Sequence, residues 1–184
     1  MLYLWSKKLL SNLCPYKKGE IVFESIESGE YIFKPEYTGL YQVIIVGAGG
    51  GGASETSALY GTEARAGGSG GMITGTAKLT RGSEYTIVVG AGGIGRHAAD
   101  TASGSSGGHS TFFGNTAYGG GGASCNVWSG SYNSGGGGSA TAIDGFTASN
   151  GVSGSTTSRY GVYGGGGAPA QNGQNGYVQI SFSH

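Results

Sequence analysis

The chain has 184 residues, enough for one domain with a small appendage, and 42 of them are glycine. Acidic and basic side chains balance at ten each, and from residue 101 onward only Asp144 and Arg159 are charged. This distribution excludes the basic surface that nucleic-acid binding requires. The clustered glycines and only three prolines exclude a collagen triple helix.

The N-terminal segment differs in composition from the rest of the chain. Leu2, Trp5, Leu9 and Leu13 are spaced to share one face of a short helix that Pro15 would end. This helix either caps the domain or docks to another protein, and the sequence leaves both readings open. We therefore divide the chain into a docking or capping segment, residues 1–18, and a glycine-rich domain, residues 19–184.

The same segment does not have the form of a signal peptide. Lys7 and Lys8 interrupt its apolar residues, and no small-residue cleavage site follows. No apolar run approaches the length of a membrane-spanning helix. We expect synthesis without a signal peptide and no membrane insertion.

Period-two patterns begin at residue 20. Ile21 and Phe23 share one face of a strand, Tyr31 and Phe33 share one face of the next, and residues 40–46 are almost continuously apolar. These three strands predict a small antiparallel start that leads into the first glycine run. Later strands are predicted at residues 72–79, 85–89, 110–113 and 177–182.

The glycine runs follow strands and recur. VIIVGAGGGG at residues 43–52 returns as YTIVVGAGGIG at 85–95, an offset of 43 when Gly47 is aligned on Gly90. The two copies of YGGGGA, at 118–123 and 163–168, are offset by 45. Two similar offsets suggest an internally repetitive module.

Ordering this much glycine costs more backbone entropy than ordering any other residue. Backbone hydrogen bonds between closely packed extended segments are the available compensation. The sequence therefore predicts an all-β fold: a small antiparallel β framework with packed, polyglycine II-like segments and long polar loops.

A dinucleotide site is the first chemistry to consider. Gly47, Gly49 and Gly52 fit the spacing G-x-G-x-x-G after a strand. That motif needs a helix beginning within it to hold the pyrophosphate, and the residues that follow lack helical periodicity. We expect no cofactor.

Catalytic and metal sites also lack support in the sequence. The three histidines, His97, His109 and His184, do not group with carboxylates. Cys14 and Cys125 match no metal-ligand spacing. The sequence favours two free thiols and leaves a disulfide between them as the alternative. We expect that the protein is not an enzyme and binds no metal.

Aromatic residues supply the stronger signal. Trp and Tyr set among Ser, Gly and Asn are typical of binding surfaces, because large rings provide contact area at low entropy cost. The alternative is that the rings fill gaps in the core. Residues 53–66 and 96–106 are secondary candidates as loops. The predicted receptor-binding residues are Tyr60, Trp128, Tyr132, Phe146, Tyr160 and Tyr163.

Several segments resemble the glycine-rich domain of bacteriophage and prophage tail fibres and tail-tip adhesins. The resemblance covers residues 19–182 and lies in GEYIFKPEYTGLYQVIIVGAGGGG, GGSGGMITGTAKLTRGSEYTIVVGAGGIG, GGHSTFFG, YGGGGA and GGGGAPAQNGQNGYVQISF. It implies a β framework with stacked polyglycine II helices and variable distal loops that contact the host.

The resemblance also implies a function and partners. The expected protein is a virion tail-fibre or tail-tip adhesin, made in the host cytoplasm, that binds a bacterial surface polysaccharide or outer surface protein. Other virion tail proteins would hold it through residues 1–18, and a homotrimer is expected only by analogy with fibres. The alternative is a structural protein of a virion or cell-surface filament that assembles through its glycine-rich segments.

Overall fold

The computed structural model describes residues 16–57, 61–99, 101–155 and 163–184. Within these ranges every regular element is a strand, which confirms the predicted all-β class. No helix long and apolar enough to cross a membrane occurs among these residues. The strands are β1 (Ile21–Ser25), β2 (Gly29–Phe33), β3 (Gly39–Val46), β4 (Ala53–Ser57), β5 (Gly61–Arg65), β6 (Met72–Leu79), β7 (Tyr85–Val89), β8 (Arg96–Ala98), β9 (Thr101–Ser103), β10 (Ser110–Phe112), β11 (Asn115–Ala117), β12 (Ser124–Asn126), β13 (Ser131–Asn133), β14 (Ala140–Thr141), β15 (Phe146–Ser149) and β16 (Tyr177–Phe182).

Two five-stranded antiparallel sheets form the base of the molecule. The main sheet has the order β1-β16-β3-β6-β15, and the second sheet has the order β14-β11-β10-β7-β2. Alternate residues of both sheets point into one shared core, as period-two strands require. Its largest fully buried side chains include Tyr41, Phe112, Ile45, Ile73, Leu79, Ile87 and Ile180.

The first three strands do not pair with one another as the sequence predicts. β1 pairs with β16, β2 pairs with β7 in the second sheet, and β3 lies between β16 and β6. The aromatic rings of β1 and β2 meet across the core instead, with Phe23 at 5.7 Å from Tyr31 and 6.1 Å from Phe33 between ring centroids. A shared apolar period does not distinguish strands side by side from strands face to face.

Nine glycine-rich runs continue from the base as a bundle. In the described residues, strands of the base or turns and hairpins at the far end join one run to the next, and each such link reverses the direction of the chain. In chain order they are run 1 (47–52), run 2 (66–71), run 3 (90–95), run 4 (104–108), run 5 (118–123), run 6 (135–139), run 7 (151–154), run 8 (164–168) and run 9 (171–176).

Run 1 is the central element of this bundle. All six of its N–H groups donate to neighbouring runs at 2.8–3.0 Å, in strict rotation. Gly47 and Gly50 donate to run 2, and the next residue after each donates to run 4. Gly49 and Gly52 donate to run 9. The hydrogen-bond acceptor thus belongs to the same neighbouring run at every third residue. This pattern is expected of a polyglycine II helix, which has three residues per turn.

Six runs form a closed ring around run 1. Its carbonyl groups accept from run 5, from run 8, and from Gly93 and Arg96 at the two ends of the segment containing run 3. Adjacent members of the ring are also hydrogen-bonded to each other in the order 2-5-4-3-9-8 and back to 2. Runs 6 and 7 pack on the outside, against run 2. All six N–H groups of run 1 and the carbonyls of residues 48–52 are thus hydrogen-bonded to the surrounding segments.

Close approach explains why this bundle is built of glycine. A Cβ added to Gly50 would overlap the carbonyl of Gly121, and one added to Gly49 would overlap the carbonyl of Gly165. These neighbours are backbone atoms, which cannot rotate away as a side chain can. The spacing between runs therefore leaves no room for a side chain at these glycine positions.

The internal repeats of the sequence correspond to runs of one direction. Runs 1, 3, 5 and 8 begin with the repeated motifs, and the hydrogen bonds and close contacts of run 1 place runs 3, 5 and 8 parallel to it. Runs 2, 4 and 9 are antiparallel to run 1. The repeat marks four of the segments that leave the base.

Candidate binding surface at the tip

The far end of the bundle carries two small sheets, which we call the tip. Strands β4, β8 and β12 follow runs 1, 3 and 5, and β5, β9 and β13 lead back into runs 2, 4 and 6. They form the three-stranded sheets β5-β4-β8 and β13-β12-β9. Segments 53–66 and 96–106, predicted as loops, thus contain short strands whose pairing depends on distant neighbours.

The two tip sheets pack through small side chains. Ala53, Ala102, Ala123 and Cys125 form a second buried cluster, with Ala98 and Tyr132 packed against it. Small residues suit this position because the sheets continue directly from glycine runs that are already close together. The tip is therefore an ordered platform with its own core.

A buried carboxylate lies between the tip sheets. Glu55 is fully buried, and neither of its carboxylate oxygens has a hydrogen-bond partner among the described groups. The Arg65 Nη1 atom lies 3.3 Å from the Glu63 Oε2 atom, and the guanidinium sits over the Tyr132 ring at 5.4 Å from its centroid. Arg65 thus pairs with Glu63, which is half exposed. No hydrogen bond from a described group offsets the desolvation of the buried Glu55 carboxylate.

Replacing Glu55 should stabilise the protein. We expect Glu55→Leu to raise the free energy of unfolding by about 1–3 kcal/mol, since it removes an unsatisfied buried polar group and keeps a similar volume. Urea denaturation measures this change. Glu63→Gln is the matched control and should change stability by no more than about 0.5 kcal/mol, because its ion pair is half exposed. A loss of stability in Glu55→Leu contradicts this reading.

Cys125 is a buried free thiol. Its Sγ atom lies 3.7 Å from the Ala53 carbonyl oxygen, and burial, followed by the nearby Glu55 charge, raises the pKa of the thiol. Since the thiolate is the reactive form, Cys125 should react slowly with thiol reagents. In a Cys14→Ser background, we expect alkylation of native protein at pH 8 to be at least about 100-fold slower than in denaturant. Equal rates would mean that the tip sheets open readily.

Alkaline pH should destabilise the tip. Burial, and then the charge of Glu55, also raises the pKa of the Tyr132 hydroxyl. Both Cys125 and Tyr132 bind their protons more tightly when folded, so their contribution to stability is complete below the unfolded pKa values and is lost as pH rises through the folded ones. Thermal melts at increasing pH should show a decline above about pH 9. The variant Cys125→Ala with Tyr132→Phe should decline less, and an equal decline would assign the effect to other groups.

Ser54 and His97 form a polar pair at the tip that the sequence motifs did not indicate. The Ser54 Oγ atom lies 2.8 Å from the His97 Nδ1 atom, on neighbouring parallel strands β4 and β8. These residues are separated by 43 positions, which is the offset of the first glycine repeat. Extending the repeat alignment past the glycines would have found the pair. No cluster of three or more metal-ligating side chains occurs in the described ranges.

Trp128 is the most exposed large apolar side chain of the described residues. It lies in the turn between β12 and β13 and is 72% exposed. The turn is held by the Asn126 Oδ1 atom, which accepts from the Ser129 N–H at 3.2 Å, and by Gly130, whose φ of 62° favours glycine. An exposed indole on a constrained turn costs little entropy to bind.

The other predicted receptor-binding residues do not gather around Trp128. Tyr132 lies at the tip but packs between the sheets. Phe146 lies in β15 at the base, where its ring fills the space over Gly75. Tyr163 lies beside the main sheet and stacks on Tyr177, with ring centroids 4.5 Å apart. Tyr60 and Tyr160, and the docking residues Leu2, Trp5, Leu9 and Leu13, lie outside the described residues.

The start and end of the described chain lie together at the base. The ring of Tyr16 packs against Phe182 at 5.6 Å, and the Leu40 N–H donates to the His184 carbonyl at 2.6 Å. Leu40 is at the start of β3, the strand that leads into run 1. Tyr16 and His184 therefore lie at the end of the domain opposite the tip.

Comparison with known proteins identifies a family for this chain. No curated protein matches the chain. A family model described as a glycine-rich domain matches residues 26–181, from the end of β1 to β16 and thus across all nine runs. The chain belongs to this glycine-rich domain family.

Proposed function

We propose that this protein is a receptor-binding adhesin of a bacteriophage tail fibre or tail tip. Its tip contacts a polysaccharide or outer protein of the bacterial surface, and its base is held by other virion tail proteins. The observation that carries the proposal is that the molecule has two different ends. The glycine bundle separates residues 16 and 184, at the base, from the hairpins of the tip.

The chemistry of the tip supports recognition by contact area more than by charge. Trp128 offers a rigid apolar ring, and its neighbours in the turn are Val127, Ser129 and Gly130. Stacking on an aromatic ring with hydrogen bonds from small polar groups suits sugar rings, which have apolar faces and hydroxyl edges. A surface polysaccharide is therefore the first ligand class to test.

Attaching the protein to beads through either its base or its tip tests which end binds bacteria. Fluorescent beads would carry the Cys14→Ser protein through a tag after His184, or through a thiol introduced by Ser129→Cys at the tip. Base-attached beads should adhere to a few strains of a bacterial panel, and tip-attached beads should not. Equal adhesion by both, or adhesion only by tip-attached beads, would contradict the proposal. No adhesion to any strain in a broad panel would count against an adhesin.

The alternative function is a structural protein of a virion or filament that assembles through its glycine runs. Gly136 and Gly137 of run 6 are exposed on the outside of the bundle, and space around Gly136 is open. By contrast, the Asn175, Ser105 and Asn172 side chains accept from N–H groups of run 3. Those side chains close one side of the bundle to further packing. Sedimentation as a monomer at all concentrations would count strongly against the alternative.

A further inference from the structure

A groove crosses the outer face of the main sheet, away from the tip. It has a volume of about 390 Å³, and we call it the polar groove. Its floor includes Ile44 and the backbone of Val43 and Gly75. Six amide and hydroxyl side chains line it: Gln42, Thr74, Thr76, Thr147, Gln179 and Ser181.

Within the part of the chain that the structure describes, the fold does not use these six side chains. None makes a side-chain hydrogen bond with another described group. Elsewhere in the molecule such groups are used: Ser69 accepts from Val152, and Asn115 accepts from Ile143 and donates to Phe113. The polar groove thus gathers donors and acceptors that no described group of the protein satisfies and that water or a ligand can satisfy.

The lining points to an uncharged ligand. No acidic or basic residue lines the groove. Lys78 and Glu24 lie on the same sheet face by register but outside the lining. Side-chain hydroxyls and amides both donate and accept, and so do sugar hydroxyls.

An aromatic pair lies next to the groove on the same face. Tyr177 precedes Gln179 by two residues on β16, so both project from one side of the sheet. Tyr163 stacks on Tyr177, and the Tyr177 hydroxyl donates to the Glu24 carboxylate at 2.7 Å. The half-buried Tyr163 ring also lines a smaller cleft of about 230 Å³ with Ile26 and Gln174.

We propose that the polar groove binds a neutral saccharide. Gln42 and Gln179 bind its hydroxyl groups from one side, Thr74 and Thr76 bind from the other, and Ile44 contacts an apolar face of a sugar ring. This site is on the flank of the base and is independent of the tip, so the protein has two binding surfaces.

The test is a ¹H–¹⁵N NMR titration of the full chain with maltotriose, cellotriose and mannotriose, and with trigalacturonic acid as a charged probe. At least one neutral trisaccharide should shift the side-chain amides of Gln42 and Gln179, and the acidic probe should not. No shift with any neutral probe at millimolar concentration, or equal shifts with the acid, would overturn the proposal.

Substitutions assign the site. Thr74→Val should abolish the shifts of both amides, and Gln179→Leu should abolish the shift of the remaining Gln42 amide. Thr86→Val, on an exposed position of the second sheet, should leave both shifts unchanged. Trp128→Ala should also leave them unchanged, which separates this site from the tip. If the same resonances instead shift with protein concentration alone, the groove is an interface with a second copy and the saccharide proposal is wrong.

Discussion

Gly50→Ala should unfold the bundle, and Gly136→Ala should not. A Cβ at Gly50 overlaps the carbonyl oxygen of Gly121 inside the closed ring around run 1. Both partners are backbone, so relief requires two runs to separate and their hydrogen bonds to lengthen. We expect a loss of more than about 3 kcal/mol in the free energy of unfolding, at the upper end of the effects of overpacking.

Gly136 provides the matched control in run 6. A Cβ there meets nothing within 4 Å, and Gly136 is exposed without a positive φ. Its replacement by alanine removes unfolded-state entropy and should stabilise the protein by about 0.4–1 kcal/mol. Urea denaturation of both variants, followed by tyrosine fluorescence, measures the difference. Similar effects in the two variants would mean that the runs are not packed as described.

Trp128→Ala should abolish cell binding without unfolding the protein. If the proposed tip adhesin is correct, a rigid and exposed indole has the character of an interface hot spot, whose truncation costs about 2 kcal/mol or more, or roughly 30-fold in affinity. Because the side chain is 72% exposed, the free energy of unfolding should change by no more than about 0.5 kcal/mol. Flow cytometry on a strain that binds the unaltered protein measures the loss.

Ile32→Ala is the control for this experiment. Ile32 is 52% exposed in β2 at the base, so its replacement removes a comparable exposed apolar group far from the tip. Binding should be unchanged. If Ile32→Ala reduces binding as much as Trp128→Ala, the receptor does not contact the tip.

The pattern of apolar residues predicted the strands well, because this pattern marks each strand within a few consecutive residues. The period-two segments became β1 and β2, the apolar run became β3, and the closing alternation became β16. Clustered glycines near zero net charge also indicated packed segments, since little else could offset their entropy. The ring around run 1 was not predictable in the same way, because glycines have no side chains to specify their neighbours.

The site was only partly predictable for the same reason. Composition grouped Trp128 and Phe146 in one polar segment, but run 6 returns the chain to the base between them. Glu55 lies in a polar stretch typical of an exposed loop, and only the packing of two distant sheets buries it. The polar groove joins four strands that lie far apart in sequence.

Amide hydrogen exchange of run 1 tests the central claim, that the glycine runs form one ordered bundle which carries the tip. The amides of residues 47–52 lie in no sheet, yet each is hydrogen-bonded at the centre of the closed ring. They should exchange as slowly as those of β3, at the rate set by global unfolding. Exchange of these amides within minutes, while β3 stays protected, would show that the glycines are flexible linkers and would contradict the account.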